Sequence, residues 1–274
     1  MRTLRKKTKS VIVYSLLVLG AIVMIFPFVW MISTSLKSPV DVYSLNIIPD
    51  NPTLENYIRI FQDTLFGRWF INSLIIAVVT TISVAFFDTL VGYIIAKFKF
   101  IGKTLIFIAI LSTLMVPTEM LIIPWYLMSS QFGWTDSYWG LLFPGLMTGF
   151  GVFLMKQFME SIPDDLLDAA RVDGLGEFKI FWKIAIPQVW PAISALCIFT
   201  FLSNWNAFLW PLIVLESSEI FTLPVGLSFF ASGEFESRWE LIMAGATITA
   251  LPLILVFFLL QRHIIKGITL TGMK

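Results

Sequence analysis

The sequence predicts an all-α polytopic membrane protein with six transmembrane helices, and three observations indicate this fold class. The first is composition, because 57% of the 274 residues are hydrophobic, only 14% are charged, and the mean hydropathy is +0.85. Soluble domains carry about 25% charged residues, and a soluble chain this apolar would expose extended hydrophobic patches. The other two observations are the lengths of the apolar runs and the placement of the basic residues.

Six apolar runs are each long enough to cross a bilayer. A hydrocarbon core about 30 Å thick requires about 20 residues of helix, and lipid offers the backbone no hydrogen-bond partners. The predicted spans are residues 11–32, 71–95, 104–125, 138–158, 188–214 and 240–261. Five of the six contain an internal proline, which predicts kinks within continuous spans; these are Pro27, Pro117, Pro144, Pro211 and Pro252.

The first run follows a basic segment, "MRTLRKKTKS", of the kind that also begins secretory signal peptides. The run is longer than the apolar part of a signal peptide, and no A-x-A cleavage pattern follows it. We therefore expect a retained membrane anchor, and a single transmembrane domain that covers residues 1–274.

The basic residues are distributed unevenly between the segments that connect the spans. If the N-terminus lies inside, only four of the 19 Lys and Arg residues fall in outer segments, namely Lys37, Arg59, Arg68 and Arg238. Cytoplasmic segments of membrane proteins carry an excess of Lys and Arg. The distribution predicts that both termini face the cytoplasm (N-in, C-in), as does the connector between the fourth and fifth spans, residues 159–187.

Most of this connector is a charged segment, "SIPDDLLDAARVDGLGEFKIFWKIAIP" (the 161–187 hairpin), which lies between two apolar runs. Ser161 and Asp164 have the spacing of an N-terminal capping box, and Gly174 can adopt the left-handed conformation that ends a helix. The second half predicts an amphipathic helix against the membrane, which Pro187 ends. Its apolar face at helical spacing comprises Phe178, Phe181, Trp182 and Ala185. Pattern alone leaves open a solvated connector or an ordered element that docks on another protein.

The hairpin also carries a specific motif. Asp168, Ala169 and Ala170, followed by Gly174 and then by Ile184, Ile186 and Pro187, resemble the E-A-A-x3-G-x9-I-x-L-P signature of ABC importer permeases. Asp168 replaces Glu and Ile186 replaces Leu. Further segments resemble the maltose-permease type of the carbohydrate-uptake class; they are "PTLENYIRIF" (52–61), "FINSL" (70–74), "WNAFLWPLIV" (205–214), "LPVGL" (223–227) and "RHIIKGITLTGMK" (262–274).

The resemblance implies a type I ABC importer permease fold in a bacterial inner membrane, acting in binding-protein-dependent transport of a sugar or related polyol. It implies a heterodimer with a homologous permease, two cytoplasmic ATPase subunits that bind ATP and Mg²⁺, and an extracytoplasmic substrate-binding protein. It also implies that the hairpin is the coupling helix that docks on the ATPase. The coupling residues would be Asp168, Ala169, Ala170, Asp173, Gly174, Ile184 and Pro187.

The resemblance implies a second contact, on the outer side of the membrane. In maltose-type importers the loop after the fifth span reaches into the binding protein. Here that loop includes Ala231, Ser232, Gly233, Glu234 and Phe235. Considered without the resemblance, the segment is an ordinary exposed loop.

Polar residues within the spans leave two further questions open. Asn204, Trp205 and Asn206 could line a pathway, where amides and an indole suit a sugar, or they could join helices. Asp88 and Glu119 are intramembrane carboxylates, which predict either a proton-coupled secondary transporter or paired groups that face the bundle interior.

Nucleotide, metal and enzymatic sites are not expected on this chain. "IGKT" (101–104) is not a P-loop, because Lys97 occupies the position of the first glycine. A single His and a single Cys are too few for a His/Cys metal site, and no catalytic constellation is apparent. A net charge of +1 gives no indication of nucleic-acid binding. No cofactor is therefore expected on this chain, and any ATP would bind to a partner.

Overall fold

The computed structural model describes the backbone of residues 2–232 and 238–271, and the side chains of residues 12–232, 238–256 and 258. Every regular element in these ranges is helical. In chain order the α-helices are α1 (Arg2–Ser35), α2 (Glu55–Gln62), α3 (Phe66–Lys97), α4 (Lys103–Thr113), α5 (Ile122–Gln131), α6 (Tyr138–Leu142), α7 (Gly149–Glu160), α8 (Asp164–Val172), α9 (Glu177–Ile180), α10 (Ile186–Gln188), α11 (Trp190–Trp205), α12 (Leu209–Val214), α13 (Leu223–Ser232) and α14 (Trp239–Thr271). Short 3-10 turns precede α5 (Thr118–Leu121) and follow α6 (Phe143–Gly145), and a π-helical turn (Phe181–Ala185) joins α9 to α10.

By length and composition, three of the described helices can cross a membrane, or up to six spans form if each bent helix pair counts as one. The three are α1, α3 and α14. Pro27 lies inside α1 and Pro252 inside α14, so these two prolines interrupt neither helix, as predicted.

The third predicted span, residues 104–125, is not one continuous helix. The helices on either side of Pro117 meet at an angle of 95°. Proline has no N–H to donate and disfavours the helical conformation at the residue before it. Pro117 itself has an extended ψ of 133°. The fourth predicted span bends by 42° between Gly145 and Gly149.

The fifth predicted span, residues 188–214, is likewise divided. Helix α11 begins at Trp190 after a bend of 81° relative to the preceding helix and ends at Trp205. Helix α12 starts only at Leu209, after three residues outside the helices. The predicted kinks in the third, fourth and fifth spans are thus breaks between separate helices, and the described residues give six spans only if each bent pair counts as one.

The chain divides into two compact units. One comprises the residues up to Gly67 together with Leu227–Leu251. In this unit the end of α1 is joined to α2 by Asn56, whose amide donates to the carbonyl oxygens of Ser35 (2.9 Å) and Lys37 (2.8 Å). The buried Lys37 donates to the carbonyl oxygen of Ser44 at 2.7 Å, and its ammonium nitrogen lies 4.8 Å from the centre of the Trp30 ring.

The other unit comprises Arg68–Gly226 and the chain from Pro252 onward. Segments that the basic-residue distribution places outside contact one another here. Asn72 donates to the carbonyl oxygens of Glu219 (3.0 Å) and Phe221 (2.9 Å), and the indole of Trp69 donates to that of Ser218 (2.7 Å). The connection before the second span and the connection after the fifth span therefore lie on the same side of this unit, as spans that alternate in direction require. Which side of the membrane this is stays a prediction.

Asp136 makes a similar connection within the second unit. Its carboxylate accepts from the N–H groups of Glu216 and Ser217, both at 2.9 Å, and from the Ser217 hydroxyl. Burial alone would raise the pKa of Asp136, but these hydrogen bonds to the charged form hold the pKa below its usual value.

Candidate functional site

The first arm of the 161–187 hairpin is α8, which begins at Asp164 directly after Pro163. The predicted capping box was wrong, because no side chain caps this helix and the Ser161 hydroxyl donates back to the carbonyl oxygen of Phe158 at 2.7 Å. Ser161 ends α7 instead of starting α8. On its inner side α8 buries Leu167 and Ala170 in the core of the second unit.

Gly174 ends the first arm in the left-handed conformation predicted for it, with φ +82°. The N–H of Leu175 donates to the carbonyl oxygen of Ala170, and that of Gly174 to Arg171, both at 3.0 Å. This pair of bonds is the Schellman arrangement, in which a glycine avoids the steric cost that a Cβ would add. The turn therefore has a fixed geometry that depends on one residue.

The second arm divides the predicted apolar face. Phe181 and Ala185 are buried in the protein, whereas Phe178 is 64% exposed and Trp182 is 45% exposed. Ile180, which the predicted face did not include, is buried beside Phe181. Phe178 and Trp182 are therefore the part of the predicted face that can lie against the membrane.

Arg171 joins the two arms. Its Nε donates to Oε1 of Glu177 at 2.7 Å and its second terminal nitrogen to Oε2 at 3.3 Å, while the remaining nitrogen donates to Asp168 at 2.5 Å. The hydrogen bonds from Arg171 lower the pKa of Glu177, and the same bonds raise the pKa of Arg171. Both groups therefore stay charged at neutral pH, and the pair closes the hairpin.

Two side chains of α3 attach the hairpin to the helix core. The Tyr93 hydroxyl donates to Oε2 of Glu177 at 3.4 Å. Lys97 donates to the carbonyl oxygen of Ile162 at 2.5 Å and to the Asp164 carboxylate at 2.7 Å. The hydrogen bond from Lys97 is the main reason that the pKa of Asp164 is lowered. Neither contact was predicted from the sequence, because Tyr93 and Lys97 lie 84 and 65 residues along the chain from Glu177 and Ile162.

The outward surface of the hairpin is acidic and apolar. Asp165, Asp168, Ala169 and Asp173 are exposed, and Val172 at the tip is 88% exposed. This surface is free to meet another protein, since the chain's own core covers none of it.

The other predicted coupling residues differ in exposure. Gly174 and Pro187 are exposed, whereas Ile184 is half-buried against the core. Ala170 is buried, so only Ala169 of the small-residue pair faces outward. The expectation that both alanines meet a partner needs this correction.

The buried Asp88 accepts three hydrogen bonds from Thr148. The Thr148 N–H lies 3.1 and 3.2 Å from the two carboxylate oxygens, and its hydroxyl lies 2.7 Å from one of them. The same hydroxyl accepts from the N–H of Gly151 at 3.0 Å and so caps α7. Asp88 thus faces the interior with a partner, whereas Glu119 lies exposed in the 3-10 turn before α5.

Replacement of Asp88 by Asn is expected to preserve transport, because an amide can both accept from the Thr148 N–H and donate to its hydroxyl. Asp88→Leu should instead lose stability by about 1–3 kcal/mol, since the Thr148 N–H is left unsatisfied. Solute uptake, measured with the proton gradient intact and with it dissipated, tests Asp88→Asn. Thermal unfolding in detergent tests Asp88→Leu. Gradient-dependent uptake that Asp88→Asn abolishes would contradict this structural role.

The predicted pathway residues divide into core and surface. Trp205 is fully buried between Phe70 and Phe201, so it presents no surface to a solute in this conformation. The amides of Asn204 and Asn206 donate to carbonyl oxygens one turn earlier in α11, at 2.9 and 2.8 Å. Asn206 is exposed and Asn204 is half-buried, so these two side chains remain the pathway candidates.

The predicted binding-protein contact lies only partly in the described range. Ala231 is half-buried and Ser232 exposed at the end of α13, and the Ser232 hydroxyl donates to the carbonyl oxygen of Ser228 at 2.9 Å. Gly233, Glu234 and Phe235 lie outside the described residues. Among the described residues, no cluster of three or more His, Cys, Asp or Glu side chains has the arrangement of a metal site.

Comparison with known proteins identifies one family. Residues 88–270 match the family described as "Binding-protein-dependent transport system inner membrane component". An arabinooligosaccharides transport system permease protein of Bacillus subtilis (strain 168) is 36% identical over 91% of this chain and 90% of its own length. A lactose transport system permease protein of Rhizobium radiobacter is 32% identical over 97% of both chains.

A solved structure shares the fold. It is the crystal structure of a bacterial ABC transporter involved in the import of the acidic polysaccharide alginate. The match has a TM-score of 0.86 and 23% sequence identity, and it covers 93% of this chain and 96% of the solved chain. The prediction of a helical permease fold is thereby confirmed.

Proposed function

Because the chain belongs to the family of binding-protein-dependent transport system inner membrane components and is the permease subunit of an ABC importer, we propose that it imports a sugar or related polyol. The subunit spans the bacterial inner membrane and is not itself an enzyme, since ATP hydrolysis belongs to a separate ATPase. The carbohydrate proposal rests on relatives named for arabinooligosaccharides and lactose transport. Asn204 and Asn206 are the proposed pathway contacts.

The geometry of the 161–187 hairpin is the observation that carries the proposed mechanism. Its two arms are closed by Arg171 and Glu177, and its tip is exposed at Val172 and Asp173. A projecting element with fixed internal geometry is suited to bind a cleft on a partner and to follow that partner's movement. We propose that the hairpin docks on the cytoplasmic ATPase.

The proposed assembly contains this chain, a homologous second permease, two ATPase subunits that bind ATP and Mg²⁺, and an extracytoplasmic substrate-binding protein. Both termini and the hairpin face the cytoplasm in this proposal. The segment Ala231–Phe235 faces the binding protein on the opposite side. Contacts within the second unit support one part of this proposal, namely that the outer segments share one side and the inner segments the other.

Charge changes at the hairpin tip test the docking. Val172→Lys with Asp173→Lys should abolish co-purification of the ATPase subunit, because the docking surface loses an exposed apolar side chain and reverses its local charge while the buried arm is untouched. The matched control, Val40→Lys with Asp50→Lys, makes the same changes at exposed positions of the predicted outer segment. An ATPase retained by the tip variant, or lost only in the control, would contradict the proposed docking.

The substrate class is tested by uptake into cells that express the complete transporter. Uptake of labelled arabinotriose or lactose, competed by related oligosaccharides and dependent on ATP, is the expected result. Uptake of amino acids or peptides in place of any sugar or polyol would contradict the carbohydrate assignment but leave the docking proposal intact.

A further inference from the structure

Two residues of α3 lie one helical turn apart, and each contacts a different arm of the hairpin. Tyr93 donates to Glu177 at the start of the second arm, and Lys97 donates to Ile162 and Asp164 at the start of the first arm. Residues four apart lie on the same face of a helix. Both arms are therefore attached to one stripe of one helix.

Helix α7, which leads into the hairpin, is held against α3 along its length. Asp88 binds Thr148 just before α7 begins, and Lys97 binds Ile162 just after α7 ends. Between these levels Gly92 faces the backbone of α7, where an added Cβ would lie 2.9 Å from the Lys156 nitrogen. The contacts advance in the same direction along both helices, so α3 and α7 run parallel.

The position of the Lys97 side chain is tightly constrained. Its side chain is only 5% exposed, and its ammonium group is shared between a backbone carbonyl and a carboxylate. Charge-assisted hydrogen bonds of this kind are shorter and stronger than neutral ones. The Arg171–Glu177 pair is more exposed, but Tyr93 connects it to the buried core.

We infer that Lys97 and Tyr93 fix the hairpin to the α3–α7 pair, so that these three elements move as one body when the ATPase displaces the hairpin. This inference rests on the proposed docking function. Lys97 is a positioning residue in this mechanism, since it transmits the displacement and contacts neither ATP nor solute. Without it the hairpin could follow the ATPase while α3 stays in place.

Spin-label distances in the complete transporter test the inference. Labels at Gly176 and Ile94, in a Cys197→Ser background, report the separation of the hairpin from α3. Gly176 lies outside the proposed docking tip, and an added Cβ there has no heavy atom within 4 Å. In the otherwise unaltered chain the distance distribution should be the same with and without ATP. In Lys97→Met the distance should change when ATP is added, because methionine has a similar volume but cannot make either hydrogen bond. In Lys97→Arg the distance should again be the same with and without ATP.

The transport readout is the number of sugar molecules imported per ATP hydrolysed. Lys97→Met should lower this ratio by about tenfold, within the range that changes along a coupling network produce. Lys156→Met is the matched control, because it removes an ion pair of the same 2.7 Å length at the end of α7 without contacting the hairpin. Glu177→Gln is a second, surface variant that should show a smaller effect in the same direction, with Glu160→Gln as its control.

The outcomes separate this inference from the proposed function. A constant label distance in Lys97→Met would overturn the inference, as would equal defects in Lys97→Met and Lys156→Met. Loss of the ATPase from the Lys97→Met complex would also overturn it, since the residue would then maintain the docking surface itself. Failure of the unaltered chain to bind an ATPase would instead refute the proposed function.

Discussion

Gly174→Pro is expected to abolish ATP-driven import while the chain remains inserted in the membrane. Proline fixes φ near about −65°, whereas Gly174 has φ +82°. The substitution also removes the N–H that donates to Arg171 at 3.0 Å. Asp173, with φ −72° and ψ 1°, has a conformation that is disfavoured before proline. The turn must therefore rearrange, at a cost of more than about 1 kcal/mol.

The measurements are membrane abundance, co-purification of the ATPase, and sugar uptake. Gly176→Pro is a matched control two residues later, because Gly176 already has φ −71°, which proline adopts without strain. We expect normal abundance for both variants and loss of uptake only for Gly174→Pro. Uptake by Gly174→Pro equal to that of the unaltered chain would show that the geometry of the turn is not needed for coupling.

Gly151→Ala is expected to destabilise the chain by about 2–6 kcal/mol. A Cβ at this position would overlap the Asp88 carboxylate and would lie 2.9 Å from the Thr148 hydroxyl oxygen. Overpacking costs about 1–3 kcal/mol, and a disrupted buried hydrogen bond adds about 1–3 kcal/mol. The carboxylate has no alternative position without losing its bonds to Thr148.

Thermal unfolding in detergent and the amount of protein in the membrane measure this effect. Gly20→Ala is the control, because an added Cβ there has no heavy atom within 4 Å, and alanine favours helix over glycine by about 1 kcal/mol. The control should be neutral or slightly stabilised. Equal stability of the two variants would contradict the close contact described between Gly151 and Asp88.

Local signals predicted part of the site. The left-handed turn at Gly174 follows from the sequence because only the backbone of neighbouring residues decides it. The aromatic face was predicted only in part, since the periodicity of four apolar residues does not decide which side of the helix turns toward the core. Ile180 is buried, whereas Phe178 and Trp182 are exposed.

Non-local contacts were not predictable from the sequence. Pro117 breaks its helix whereas Pro27 and Pro252 do not, although all three lie in apolar runs of similar length. The sequence left open a proton-carrying role for Asp88, because Thr148, which donates hydrogen bonds to its carboxylate, lies 60 residues later in the chain. Lys97 looked like any other basic residue at the cytoplasmic end of a span.

The parallel course of α3 and α7 has an electrostatic consequence at their shared end. Each helix has a macrodipole with about half an elementary charge of negative sign at its C-terminus, and parallel neighbours bring two such ends together. The ammonium group of Lys97 lies in the last turn of α3 and donates to a carbonyl just beyond α7. One cation thus offsets the negative ends of two helices, so arginine is the replacement that would retain this compensation.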